Sequence, residues 1–406
     1  MKPEKIVKYL IVCLIFILIV DPGDLIFHLK TPLFFIIFLG WIADKLITKR
    51  LVAFNRDILY VIGLFLLIPV LGLISGIFQQ SIEDTSIASG FVKSFSIITL
   101  LIIVIDYGMV TDKYLNWLCL IIPIIIIPTY LISLFDITWF NKIYHYLNFE
   151  KDVAKFAIRT YFGYTVLMFF YKTSPLLVFP LSYFLFNYFK TKNTSDLLLS
   201  MVFLLTLFLS GTRANILAAT LVFLYRFFSH QIMKPNKLPL LVYSIVFCVF
   251  TYIFLSSLTL GQSETSANVK SGHITSYFIL FKQKPEILIW GQGLGSRFYT
   301  SGVDEYASQT ELTYFELVRT WGVPVTIFIL GLILYPFTFL YNNKMDESCK
   351  YAIVAYFAYL IIVGTNPLLI SSTGLLVIIT MYSFFNKLRR DIAHTVTENS
   401  YEFTSK

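Results

Sequence analysis

The chain has 406 residues, 57% of them apolar and 14% charged, with a mean hydropathy of +0.74. Charges this sparse cannot furnish the polar surface of a soluble domain of that size, so the composition excludes a water-soluble globule and fits a chain solvated by lipid. The formal charge of +8 does not mark a nucleic-acid binder, because the basic residues are scattered between apolar runs and form no continuous stripe.

In hydrocarbon every backbone amide and carbonyl needs an internal partner, which leaves helices or a closed barrel. The apolar runs are too long and too evenly apolar for barrel strands, so the fold class predicted is an all-α polytopic membrane protein. The first run, 5–20, follows Lys2 and Lys5 and continues into Asp21-Pro22-Gly23-Asp24 without an A-x-A-type cleavage site. It reads as an uncleaved first span. Further spans are predicted at 32–47, 57–78, 91–108, 115–135, 174–190, 196–210, 213–230, 238–258, 322–341, 350–364 and 367–385. That makes about twelve, within one integral membrane domain covering 1–406. Segment 160–172 is too short to cross a core of about 30 Å at about 1.5 Å per residue. It reads as a re-entrant or interfacial helix within an extracytoplasmic loop, 136–173.

With both termini inside, the cytoplasmic segments hold 19 of the 32 basic residues, as the positive-inside rule requires. The two short outer loops carry one each, Lys30 and Lys93. Outer loop 136–173 carries five more, outer loop 259–321 another five, and Arg213 stands at the outer end of a span. Topology asks for none of these, so an anionic ligand at the outer face is the candidate cause. Cys13, Cys119, Cys248 and Cys349 form no CxxC pair or disulfide framework, and the five histidines show no metal-ligand spacing.

Three stretches could carry chemistry. At Ser210-Gly211-Thr212-Arg213 a guanidinium stands beside the free N–H groups of a helix start, which suits a diphosphate; an arginine snorkelling to headgroups fits as well. In the large loop, Gly291, Gly293 and Gly295 suggest a tight turn whose backbone approaches something closely, or a flexible loop turn. No strand or βαβ unit precedes it, so a dinucleotide fold is excluded. Farther on, 309–322 reads as a helix in which Glu316 and Arg319 are a surface i,i+3 pair. Glu311, at its start, is either a first-turn acid matched to the dipole or a general base.

In order and spacing, these elements resemble the bacterial O-antigen polymerase (Wzy) and O-antigen ligase superfamily over about residues 155–345. Ser210-Gly211-Thr212-Arg213 matches its S-G-[ST]-R, and Gly291-Gln292-Gly293-Leu294-Gly295 its glycine turn. Phe315-Glu316-Leu317 through Gly322-Val323 matches the run into the next span, and Arg159 stands where the family often has an arginine. Two positions depart: the arginine of the family's S-G-R is His273 here, and the ligase histidine position falls on Glu311. The second departure favours polymerase over ligase.

The resemblance implies a metal-independent glycosyltransferase of GT-C type, without a cofactor, at the outer face of the bacterial cytoplasmic membrane. Its substrates would be undecaprenyl-diphosphate-linked glycans within the lipid bilayer, with a chain-length regulator as a candidate partner and O-antigen or capsule as product. Arg213 would hold the diphosphate, with Arg159, Arg297 and His273 as secondary contacts. Glu311 would be the base, its pKa raised by desolvation near Tyr314 and Phe315. The rival readings are an O-antigen ligase and a polysaccharide transporter or flippase. A transporter predicts inverted repeats and mid-span charges, and neither is visible.

Overall fold

A computed structural model describes residues 3–49, 56–161, 164–232, 265–341 and 347–404. Eleven of the twelve predicted apolar runs coincide with helices, beginning with Pro3–Val20, Lys30–Thr48 and Arg56–Phe78. The remaining run, 238–258, lies outside the described residues. Among the described residues five helices are long and apolar enough to cross a membrane: Lys30–Thr48, Arg56–Phe78, Thr85–Asp106, Thr111–Phe135 and Thr313–Phe337. Thr194–Leu209 and Cys349–Val363 are shorter apolar helices. A helix of 23 residues such as Arg56–Phe78 extends about 35 Å, enough for the hydrocarbon core. Its lipid-side face is apolar, as are those of its neighbours, with Ile77, Phe78, Leu46 and Phe135 among the exposed large side chains.

Polar side chains at the ends set the helix boundaries. Asp84 caps the helix Thr85–Ser96 by accepting the Ile87 amide at 3.1 Å, and Asp136 and Asn193 cap Ile137–His145 and Thr194–Leu209 in the same way. Asp21 is fully buried, and its carboxylate accepts the amides of Leu25, Ile26 and Phe27, which folds the first connection back on itself.

Contacts among the connections fall at two ends of the bundle. At one end Lys151 Nζ donates to the Leu25 carbonyl (3.1 Å), Lys30 Nζ to Ser372 Oγ (3.4 Å) and Thr313 Oγ1 to the Asn366 carbonyl (2.7 Å). The Glu83 and Asp84 amides meet the Gly295 carbonyl there. At the other end Lys45 pairs with Asp106 (2.5 Å), Arg389 with Asp57 (2.7 Å), and the Tyr351 hydroxyl donates to Asp112 (2.5 Å). Every connection in the first set is one that the charge pattern assigns to the outside, and every one in the second set is assigned to the inside. The first end is called the upper end below.

The segment 160–172 departs from expectation. It belongs to an antiparallel hairpin, β1 (Ala154–Tyr161) with β2 (Tyr164–Tyr171), and is not a re-entrant helix. Phe156 pairs with Phe169 in the register, and their rings stack at 4.4 Å. Aromatic and β-branched side chains favour such cross-strand pairs over a helix. A second short hairpin, β3 (Phe298–Thr300) with β4 (Glu305–Ala307), lies in the large loop.

The two ends can be told apart by labelling. A single thiol introduced as Val303→Cys, at the exposed turn between β3 and β4, is expected to react with an impermeant maleimide from one side of the membrane. Lys387→Cys is expected to react only from the other. Modification of both from the same side contradicts the alternation.

Candidate functional site

The large loop is a docked structure. Helix Thr313–Tyr341 is broken at Gly322, whose φ of 75° and ψ of 169° are not helical. The break leaves carbonyls of the turn before it without intrahelical partners. The glycine turn supplies them: the Gln292 amide donates to the Arg319 carbonyl and the Gly293 amide to the Thr320 carbonyl at 3.0 Å. On its other side the Leu294 amide donates to the Gly72 carbonyl at 3.0 Å, while Ser81 Oγ and Gln79 Nε2 donate to the carbonyls of Gln292 and Gly291. Gly291, Gly293 and Gly295 all have positive φ (72°, 90° and 77°) and are buried. A Cβ at Gly291 or Gly293 would overlap the backbone of Thr320 or Gly76. What these glycines approach closely is the chain's own helices, and the turn is fixed in place.

Arg319 is the centre of this joint. It is 2% exposed, and Glu316 is 4% exposed, so the expected surface pair is a buried one. Arg319 Nε and Nη2 bond the Glu316 carboxylate (2.9 and 2.8 Å). Nη1 reaches Gln292 Oε1 (3.0 Å) and Ser296 Oγ (2.8 Å), and Nη2 reaches the Ser308 carbonyl (2.8 Å). The guanidinium carbon also lies 4.9 Å from the Phe298 ring centroid. Glu316 Oε1 accepts from the Tyr277 hydroxyl (2.6 Å) and the Thr310 amide (2.8 Å). Burial and the carboxylate push the Tyr277 phenol up, so it remains a donor. One ion pair thus ties together helix Thr265–Gln283, the glycine turn, β3, the residue that follows β4 and the last helix of the loop.

The other predicted residues fall around this joint. His273 is buried, its Nδ1 at 2.5 Å from Thr300 Oγ1 and its ring against Gly302. Desolvation lowers its pKa in spite of Glu311 and Glu316 nearby, so the neutral ring is a packing element of the hairpin. Arg297 is exposed at the rim, donating to Ser308 Oγ (3.2 Å) and pairing with Asp84 (3.4 Å), whose carboxyl falls to about 2 because Ser86 and the Ile87 amide also bond it.

Glu311 precedes the helix, which starts at Thr313, and is not part of it. Its side chain is 54% exposed and lies 3.6 Å from Lys270 Nζ. The aromatic shelter expected around it is not formed. The Tyr314 hydroxyl is committed to the Leu360 carbonyl (2.7 Å), and the Phe315 ring stacks on Tyr277.

The S-G-T-R turn stands apart from the loop. Gly211 has φ 64°, and a Cβ there would lie 2.6 Å from Met168 on β2, so both conformation and space require glycine. Arg213 opens a helix of 20 residues, Arg213–Ile232. Asn215 Nδ2 donates to Ser210 Oγ (2.7 Å) and Ser174 Oγ (3.1 Å), all three residues being buried, which locks the turn from below. Arg159 lies on β1 paired with Val166, two steps along the ladder from Ala157 and Met168. The hairpin and the turn are therefore one unit. The turn that precedes Arg213 abuts β2, the partner of the strand that carries Arg159, and Glu311 lies beside Lys270 and near His273. Helix Glu347–Val363 packs against Arg213–Ile232, and its upper end meets Tyr314 through Gly364.

Sequence reasoning missed the depth of Glu316–Arg319 and the roles of Tyr277, Gln292, Ser296 and Asn215. Apolar neighbours at Leu317 and Trp321 were the available signal for a buried arginine. Compared with protein-family models, curated proteins and solved structures, the chain has no match.

Two outcomes test the joint. Arg319→Met strands a buried carboxylate and is expected to destabilise the protein by about 3–5 kcal/mol. Adding Glu316→Gln, which removes the charge but keeps an acceptor for Tyr277, should recover more than half of the loss. Thermal unfolding in detergent measures both, and a double variant no better than the single contradicts the pair's role. For His273, the folded pKa lies below the ordinary 6.5. The unfolded chain therefore takes up a proton that the folded one refuses. The hairpin's docking is fully stable above that value and weakens as pH falls below it. Limited proteolysis within 298–307 should quicken between about pH 7 and about pH 5 in the wild type and stay level in His273→Asn; equal pH dependence in both refutes this.

Proposed function

We propose that the chain is a metal-independent glycosyltransferase that joins undecaprenyl-diphosphate-linked oligosaccharide repeat units into O-antigen or capsular polysaccharide. It would act at the outer face of the bacterial cytoplasmic membrane, with about twelve crossings, a GT-C-like arrangement and both termini in the cytoplasm. The resemblance over residues 155–345 supports this reading. The observation that carries it is the S-G-T-R turn, where Gly211, left-handed and with no room for a side chain beside Met168, stands just before Arg213 at the head of a 20-residue helix. The turn lies at the upper end, the same end of the bundle as Glu311.

The chemistry then follows from charge. The positive end of the helix dipole and the Arg213 guanidinium hold the diphosphate of the growing chain's carrier and stabilise it as it departs. The carboxylate of Glu311 takes the proton from the acceptor hydroxyl of a single lipid-linked unit. That hydroxyl oxygen bonds to the anomeric carbon as the bond from that carbon to the diphosphate oxygen breaks. The departing diphosphate is already ionised and needs no proton. Lys270 Nζ lies 3.6 Å from this carboxylate and forms an ion pair with it. Arg159 is the secondary cation. His273 and the three glycines act here as packing that fixes the loop, and Arg297 as the rim tie to Asp84.

Deleting the gene and sizing surface glycans on a gel tests the reaction class. Single repeat units still attached to their acceptor are expected; loss of all attached glycan would instead indicate a ligase. In the same assay Arg213→Ala and Glu311→Gln should each abolish long chains, a loss of about 10²-fold or more in rate, with the protein still present in the membrane. Wild-type ladders from either variant remove that residue from the mechanism.

A further inference from the structure

The positive-inside rule gives no reason for Lys30 or Lys93, the lone cations of the two short outer connections. They are far apart in sequence, yet both line one cavity of about 470 Å³ at the upper end. The cavity lies between the start of helix Lys30–Thr48, the last turns of helix Thr85–Ser96 and Ser372 at the start of helix Ser372–Thr404. Lys30 Nζ donates to the Pro22 carbonyl and to Ser372 Oγ, both neutral acceptors. Lys93 is exposed, and among the described residues its ammonium group has no hydrogen-bond or ion-pair partner. One carboxylate, Asp24, also lines the cavity, and it accepts the Lys30 backbone amide at 3.1 Å.

Besides the hydroxyls of Thr31, Ser94, Ser96 and Ser372, much of the wall is hydrocarbon. Leu14, Phe34 and Ile97 line it, and Phe35 is 59% exposed on its outer edge. The helix that carries both phenylalanines is the least sheltered of the five long apolar ones, 11% buried within the protein. The cavity therefore opens sideways onto the surface that faces acyl chains, with its two ammonium groups at the headgroup end. A soluble anion would use the lysines and leave the apolar wall unmatched, whereas a neutral lipid would use the wall and leave the lysines unmatched.

We propose that this cavity is a lipid-phosphate site. A phosphoester head lies between Lys30 and Lys93, within reach of the Ser94 hydroxyl, and its hydrocarbon chain runs along Phe34 and Phe35. The same chemistry describes an anionic phospholipid and a polyprenyl phosphate. The site is separate from the Arg213 turn and does not rest on the transferase reading.

Native mass spectrometry of the full chain in detergent, titrated with phosphatidylglycerol, a polyprenyl phosphate, diacylglycerol or inorganic phosphate, tests it. At least one phosphorylated lipid should be retained in clear preference to diacylglycerol and to inorganic phosphate. Lys93→Gln, which has no bond to lose, should weaken that lipid about fivefold, and Lys30→Gln by a similar factor. Whichever phosphorylated lipid loses affinity in Lys93→Gln is the occupant. Binding unchanged by Lys93→Gln in both lipid arms, or diacylglycerol or inorganic phosphate bound as tightly, overturns the proposal.

Discussion

A single buried guanidinium organises the upper end of this protein. Arg319 sits where water is excluded, and an unpaired cation there would be costly. The surrounding chain meets the cost by converging on it: the Glu316 carboxylate, the Gln292 and Ser296 side chains of the glycine turn and the Ser308 carbonyl come from three separate stretches of the loop. The break at Gly322 is the partner of this convergence. It frees the carbonyls that the glycine turn then satisfies, so the loop is bonded to the last helices at both backbone and side-chain level.

That joint has a consequence for chemistry. A base on a loose loop would sample many positions, whereas Glu311 is two residues from a helix whose first turn is anchored by Thr313 to Asn366 and by Tyr314 to Leu360. On the other flank, Asn215 bonds the S-G-T-R turn from below and Met168 leaves no room for a side chain at Gly211. Helix Glu347–Val363 is the common neighbour of both units. A transferase that must bring two bulky lipid-linked sugars into register benefits from two rigid platforms set on a shared helix.

Much of the fold was legible in the sequence, because the constraint that lipid imposes is local. An unbroken apolar run of sufficient length is a helix wherever it occurs. The hairpin over 154–171 was not read, since about a dozen apolar residues look alike as a short helix or as paired strands. The useful sign was the aromatic and β-branched content of the two strands. Spacing correctly put Glu316 and Arg319 three residues apart, but their burial depends on Gln292, Ser296 and Ser308, which no local pattern links to them. The meeting of Lys30 and Lys93 is likewise tertiary. For the glycine turn, the sequence told that close approach was needed and not what would be approached.

Hydrogen bonds lock the glycine turn into the helical body. Deuterium uptake by a peptide spanning Gly291–Ser296 in the full chain measures this most directly, because the amides of Gly291, Gln292, Gly293 and Leu294 all have backbone acceptors. Protection of these amides comparable to that of the apolar helices is expected. Uptake as fast as that of the exposed turn at 301–304 would contradict it.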